Sequence, residues 1–176
     1  MSRRPSCYGS RPGPVEYAEN CCEYCPVENL YHDARQYVLG FAHSIHGEVV
    51  LLIEKNRPDW MKGKLNGIGG KIEPGETPED AMYREFREET GLEVGEWIRA
   101  GELFGPWGKV YVFKNALIYG VLRQARSTTD EVVDLISTSS LQSLARVGKV
   151  MKNVPALLQL CLLTDAVKFT IEEGKE

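Results

Sequence analysis

The chain has no apolar run long enough to cross a bilayer. Its start, MSRRPSCYGSRPGP, carries arginines but no apolar core behind them, which is not the pattern of a signal peptide, so a cytoplasmic location is expected. Basic charge is not in excess either. With 21 Lys and Arg against 25 Asp and Glu the net charge is −4, which argues against a nucleic-acid partner held by bulk electrostatics. No internal repeat is visible, and no feature fixes an oligomeric state. What remains is 176 residues with 43% hydrophobic content, the size of one domain with a proper core.

The most informative stretch runs from Gly70 to Leu92, GKIEPGETPEDAMYREFREETGL. It reads as a glycine-rich loop followed by a short helix. Thr77 is the expected N-cap, Pro78 suits the first turn, Asp80 places a carboxylate near the helix N-terminus, and Gly91 ends the helix as C′. Ala81, Met82 and Phe86 are its apolar positions. Glu85, Glu88 and Glu89 stand at i, i+3 and i+4 and share one face, so their charges repel unless cations sit among them. Hard oxygen donors of this kind suit Mg²⁺ or Mn²⁺. From the helix alone, a solvated acidic face with Arg84 paired to Glu88 is the favoured explanation, because charge runs are usually solvent-exposed.

The wider spacing separates the two. Gly70, five residues, Glu76, seven residues, then Arg84, Glu85, Phe86, Glu88, Glu89, Gly91 and Leu92 resembles the Nudix box, with every charged and glycine position filled. Phe86 stands where the family more often has an aliphatic residue. The resemblance to the Nudix hydrolases implies an α/β fold in which a mixed β-sheet is sandwiched between α-helices. It also implies a metal site of Glu85, Glu88, Glu89 and the Gly70 carbonyl, with Arg84 holding the loop through Glu76. The form Asn66-Gly67-Ile68-Gly69-Gly70-Lys71 is similar to that of Nudix enzymes acting on purine nucleoside triphosphates, in which the Asn reads the base. An amide can pair bidentately with a purine edge, although Asn66 can equally make a turn before a strand.

The first 33 residues differ from the rest. They are poor in aliphatics and hold four of the five cysteines, Cys7, Cys21, Cys22 and Cys25. Cys22 and Cys25 form a C-x2-C knuckle, so a structural Zn²⁺ site of Cys7, Cys22, Cys25 and either His32 or Cys21 is one reading. A flexible arm with reduced thiols is the other. Cys161 falls in an apolar helix and is expected in the core.

The domain proper is expected over residues 34–176. Gln36–His43 and Glu48–Glu54 read as adjacent strands, with His43 and His46 as surface residues at the strand end and turn. The following loop, KNRPDWMKGK, brings Arg57, Trp60 and three lysines to the edge of the box, where Arg57 and Lys71 are candidates to meet phosphates and Trp60 to stack on a base. Trp107 is a second candidate for stacking. Strands are expected at Glu96–Phe104, Lys109–Lys114, Asn115–Leu122 and Val132–Ile136. A short helix is expected over Thr138–Ala145. Asn153 is expected to cap a last helix, Val154–Val167, that buries Leu157, Leu158, Cys161, Leu162 and Ala166. Glu131 is a candidate base or extra ligand from outside the box.

Together these features predict Mg²⁺-dependent hydrolysis of a nucleoside diphosphate linked to another group, with a purine (d)NTP such as 8-oxo-dGTP as the leading substrate. Hydrolysis of ADP-ribose or a dinucleotide is the alternative within the same chemistry. From a different class, a nucleotide-sensing or interaction protein would use the box only to bind. The readings part company over turnover and over which nucleotide is chosen.

Overall fold

The computed structural model describes residues 35–105, 108–163 and 169–172. The cysteine arm with Cys7, Cys22, Cys25 and His32, as well as Trp107 and Ala166, lies outside the described residues. Among the described residues, seven strands form one mixed sheet: β1 (Gln36–Ser44), β2 (Val49–Lys55), β3 (Lys64–Asn66), β4 (Ile98–Gly105), β5 (Gly108–Leu117), β6 (Val132–Ser137) and β7 (Phe169–Glu172). The helices are α1 (Pro78–Thr90), α2 (Tyr119–Leu122), α3 (Leu141–Arg146) and α4 (Val154–Leu163). The strand order is β3-β2-β1-β5-β4-β7, with β6 on β2. β1–β5 and β4–β7 are parallel, and the other pairs are antiparallel.

The central strands are apolar on both faces because both faces are covered. Leu39 and Phe41 of β1, Val50 and Leu52 of β2 and Val112 of β5 pack with Val154, Leu157, Leu158 and Cys161 of α4. Their neighbours Val38, Ala42, Leu51, Ile53 and Phe113 point the other way, onto Ala81, Met82 and Phe86 of α1. This is the period-two alternation of a strand, repeated across three strands. Cys161 is therefore core as expected, and burial pushes its thiol up to about 12.

The box helix begins and ends as its sequence dictates. Thr77 Oγ1 accepts the Asp80 N–H at 3.1 Å, and Gly91, at φ 68°, donates its N–H to the Arg87 carbonyl. Phe86 is fully buried and meets Trp97 edge-on, with ring centroids 5.1 Å apart. An aromatic residue at this position thus has a specific partner in the core.

The two expected first strands do form, but they part company. β1 and β2 pair only at His43 and Val50, beside the turn. Beyond it the segment from Lys64 to Lys71 enters between them: β3 pairs with β2, while Ile68 and Lys71 bridge Gly40 and Tyr37 of β1. The glycine loop is thereby built into the sheet instead of lying over its edge.

Four expectations need correction. His43 is buried, not a surface residue, because it continues the face of β1 that carries Leu39 and Phe41, which α4 covers. The strand expected to run from Asn115 to Leu122 ends at Leu117, and Tyr119–Leu122 turns into α2, which buries Leu122 under the sheet. Leu162 is 38% exposed, since Leu157, Leu158 and Cys161 already fill the buried stripe of α4. No strand was expected at Phe169–Glu172, yet β7 pairs there with β4.

Replacing Phe86 by Ala removes a ring from a filled core and should cost about 3–5 kcal/mol. Urea denaturation checks this. Phe86→Leu, which leaves a smaller void, should cost less.

Candidate active site

Arg84 is the hub of the box. Its Nε and Nη2 fork onto the two oxygens of Glu76 at 2.8 and 3.0 Å, and Nη2 also donates to the Lys71 carbonyl at 3.0 Å. Nη1 reaches Glu85 at 2.8 Å and Glu88 at 3.2 Å. One guanidinium therefore ties the loop, through Glu76 and Lys71, to the carboxylate face of α1. Hydrogen bonding to Arg84 holds the Glu76 carboxyl below its ordinary value, and Glu76 in turn raises the guanidinium.

Glu89 has a second cation. Lys55, the last residue of β2, donates to Glu89 Oε1 at 2.8 Å, to Glu131 Oε2 at 2.9 Å and to the Gly69 carbonyl at 3.3 Å. Burial works against the Lys55 charge, but Glu89 and Glu131 outweigh it and keep the ammonium protonated. Burial pushes the carboxyls of Glu85 and Glu89 up despite these cations. Negative charge here is under-compensated, which is the chemical setting in which a further cation is welcome.

The donor set, three glutamates with two of them desolvated, fits a hard divalent ion such as Mg²⁺ or Mn²⁺. The side chains do not converge on one point: among the described residues no group of three acidic, His or Cys side chains is placed to hold an ion. Arg84 draws Glu85 and Glu88 to one side, while Lys55 draws Glu89 to the other. Nor does the Gly70 carbonyl stand free. It accepts the Val38 N–H at 2.9 Å, and the neighbouring Gly69 carbonyl is the one that faces a cation.

The glycines are required by contact as much as by conformation. A Cβ at Gly69, whose φ is 147°, would collide with the Val38 carbonyl, and one at Gly70 would collide with the Glu85 carboxylate.

On the far side of this loop lies a cleft of about 930 Å³. It gathers Arg57, Trp60, Asn66, Gly70 and Lys71, all of them residues the sequence singled out. Arg35, Lys55, Lys64 and Lys152 also line it, and among the described residues no acidic one does. In a chain of net charge −4 that concentration of cations favours an anionic ligand. Trp60 is 60% exposed, so its face is open to contact. Glu85, Glu88 and Glu89 are not among its lining residues, but Gly70 and Lys55, which are, lie against Glu85 and Glu89.

Two residues of this region were not legible as such. Lys55 reads as one more basic residue of a loop, yet its partners are 34 and 76 positions away. Asn153 reads as a helix cap. Its backbone carbonyl does accept the Leu157 N–H, but its side chain lines the cleft, with Oδ1 buried and without a hydrogen-bond partner among the described residues. A buried orphan acceptor costs about 1–3 kcal/mol. Glu131, a candidate from outside the box, does join it: its Oε1 accepts the Asn56 N–H at 2.7 Å while Oε2 binds Lys55.

The Glu76–Arg84 pair sets a pH dependence. The folded carboxyl lies below its unfolded value, so its stabilisation is complete above the unfolded value and is lost as pH falls through the folded one. Glu76→Gln should be less stable than the parent at neutral pH, and the gap should close as pH falls below the ordinary carboxylate value and through the lowered folded one. Paired urea titrations across that range measure it.

Among known proteins, the chain is 46% identical over 54 residues to the oxidized purine nucleoside triphosphate hydrolase of Mus musculus, which covers 31% of this chain and 34% of that protein. It is 42% identical over 57 residues to the protein of the same name from Danio rerio, covering 32% and 35%. The chain thus spans about a third of the length of the curated relatives it matches. A solved structure of MutT, from work on Aliivibrio salmonicida and Vibrio cholerae, superposes with a TM-score of 0.58 at 21% identity, covering 74% of this chain and 99% of that one, and shares its fold. The model of the NUDIX domain matches residues 33–139, more than half of the chain, and the protein belongs to the Nudix family.

Proposed function

We propose that the protein hydrolyses the pyrophosphate linkage of a purine nucleoside triphosphate, oxidised purines such as 8-oxo-dGTP included, releasing a nucleoside monophosphate and pyrophosphate. The observation that carries this reading is the cleft. Its lining combines the glycine loop and several cations with two amides, Asn66 and Asn153. The names of the mouse and zebrafish relatives point to the same substrate class.

Each residue has a physical task in this reading. Lys71 and Arg57 draw the phosphates to the loop, where Gly69 and Gly70 let the ligand approach the backbone. The Asn66 and Asn153 amides supply donors and acceptors that match a purine edge, and Trp60 offers a face for stacking. A divalent cation held by Glu85, Glu88 and Glu89 would neutralise the phosphate oxygens and acidify the attacking water. One of the box carboxylates, of which burial raises both Glu85 and Glu89, or Glu131 would take the water's proton. Arg84 keeps Glu85 against the loop and does not need to touch substrate.

The test is pyrophosphate and phosphate release from dGTP, 8-oxo-dGTP, dATP, ADP-ribose and NADH, with Mg²⁺ and with EDTA. The reading expects a triphosphate to be preferred and EDTA to abolish turnover. Glu85→Gln should lower kcat by about 100-fold or more while the fold persists. Asn153→Ala should lower kcat/KM for the preferred purine by about 10- to 100-fold. Preference for ADP-ribose would transfer the assignment to that substrate. Binding of nucleotides with no turnover under any condition would leave a sensor in its place.

A further inference from the structure

Lys55 has an arrangement that binding phosphate does not require. Its three N–H donors are spent on Glu89, Glu131 and the Gly69 carbonyl, and all three charged side chains are largely shielded, at 11%, 9% and 14% exposure for Lys55, Glu89 and Glu131. Each carboxylate is also gripped from its other oxygen by the backbone. Glu89 Oε2 accepts the Gly69 N–H at 3.1 Å, and Glu131 Oε1 accepts the Asn56 N–H at 2.7 Å. These amides aim Glu89 Oε1 and Glu131 Oε2 at the ammonium without help from it.

We propose that Lys55 is a positioning residue that competes with a divalent cation for Glu89 and Glu131, and that is released toward the anionic ligand in the cleft when such a cation takes those oxygens. The inference rests on the reading that the box glutamates hold a divalent ion. One ammonium facing two carboxylates leaves one negative charge uncompensated, whereas a divalent ion would balance both. The two cations want the same oxygens. Because the backbone amides of Gly69 and Asn56 fix the carboxylates independently, removing the ammonium leaves the oxygens aimed and unopposed. Lys55 itself has somewhere to go, since its flexible stem already lines the cation-rich cleft.

The experiment is Mn²⁺ binding to the full-length protein without nucleotide, followed by the EPR signal of free Mn²⁺, for the parent, Lys55→Met, Lys55→Gln and Lys55→Arg. The neutral variants should bind Mn²⁺ about tenfold more tightly or better, and the added metal should raise their Tm by more than it raises the parent's. Lys55→Arg, which keeps the charge, should stay close to the parent. Two neutral substitutions of different polarity guard against a folding defect in one, and circular dichroism verifies each. Equal or weaker Mn²⁺ binding in folded Lys55→Met or Lys55→Gln overturns the competition, as does the absence of Mn²⁺ binding in every variant. Failure of the competition with nucleotide turnover intact sinks this inference alone; tighter Mn²⁺ binding with no turnover sinks the hydrolase reading alone.

Discussion

The absence of two side chains governs how this molecule is assembled. Gly69 and Gly70 run so close to β1 and to α1 that a single methyl group at either would strike the Val38 carbonyl or the Glu85 carboxylate. With glycine there, the Lys64–Lys71 segment can thread between β1 and β2, hydrogen-bond to both, and press its backbone onto the acidic face of α1. That approach desolvates Glu85 and Glu89, and the desolvation creates the electrostatic character of the site.

Carboxylates that lose water need other partners, and the fold supplies two cations from different directions. Arg84 comes from the helix itself and spreads its fork over Glu76, Glu85 and Glu88, which also anchors the loop by its Lys71 carbonyl. Lys55 comes from the sheet and takes Glu89 together with Glu131. Neither balances its carboxylates in full. Burial therefore still pushes Glu85 and Glu89 up, and the site retains an appetite for positive charge. The adjoining cleft has the opposite character, with cations and no carboxylate among the described residues that line it. The acidic face of α1 and the cation-lined cleft meet at Gly70 and Lys55, a layout suited to a metal beside phosphates.

The elements that were legible in advance are those whose information is local. The cap at Thr77, the stop at Gly91 and the i, i+3, i+4 glutamates lie within one helix, where spacing alone decides which side chains are neighbours. The β-rich runs at Gln36–His43 and Glu48–Glu54 announced two strands. Elements whose identity depends on a distant partner were misread. β7 exists because β4 offers it an edge, His43 is covered because α4 packs on the face of β1 it shares with Leu39 and Phe41, and the end of the Asn115–Leu122 run bends into α2 because Leu122 finds the core beneath the sheet.

The same division holds within the site. By itself the sequence determined the glycine loop and the carboxylate face, which follow from residue type and helical periodicity, while the Glu76–Arg84 link was implied by the resemblance of Gly70–Leu92 to the Nudix box. Only the tertiary structure decided that Lys55 belongs to Glu89 and Glu131, and that Asn153, 87 positions beyond Asn66, brings an unpartnered acceptor to the same cleft. The physical reason is that charge pairing and desolvation act through space at a few ångströms. Sequence spacing reports that distance only inside one helix or one turn, and the sheet sets it everywhere else.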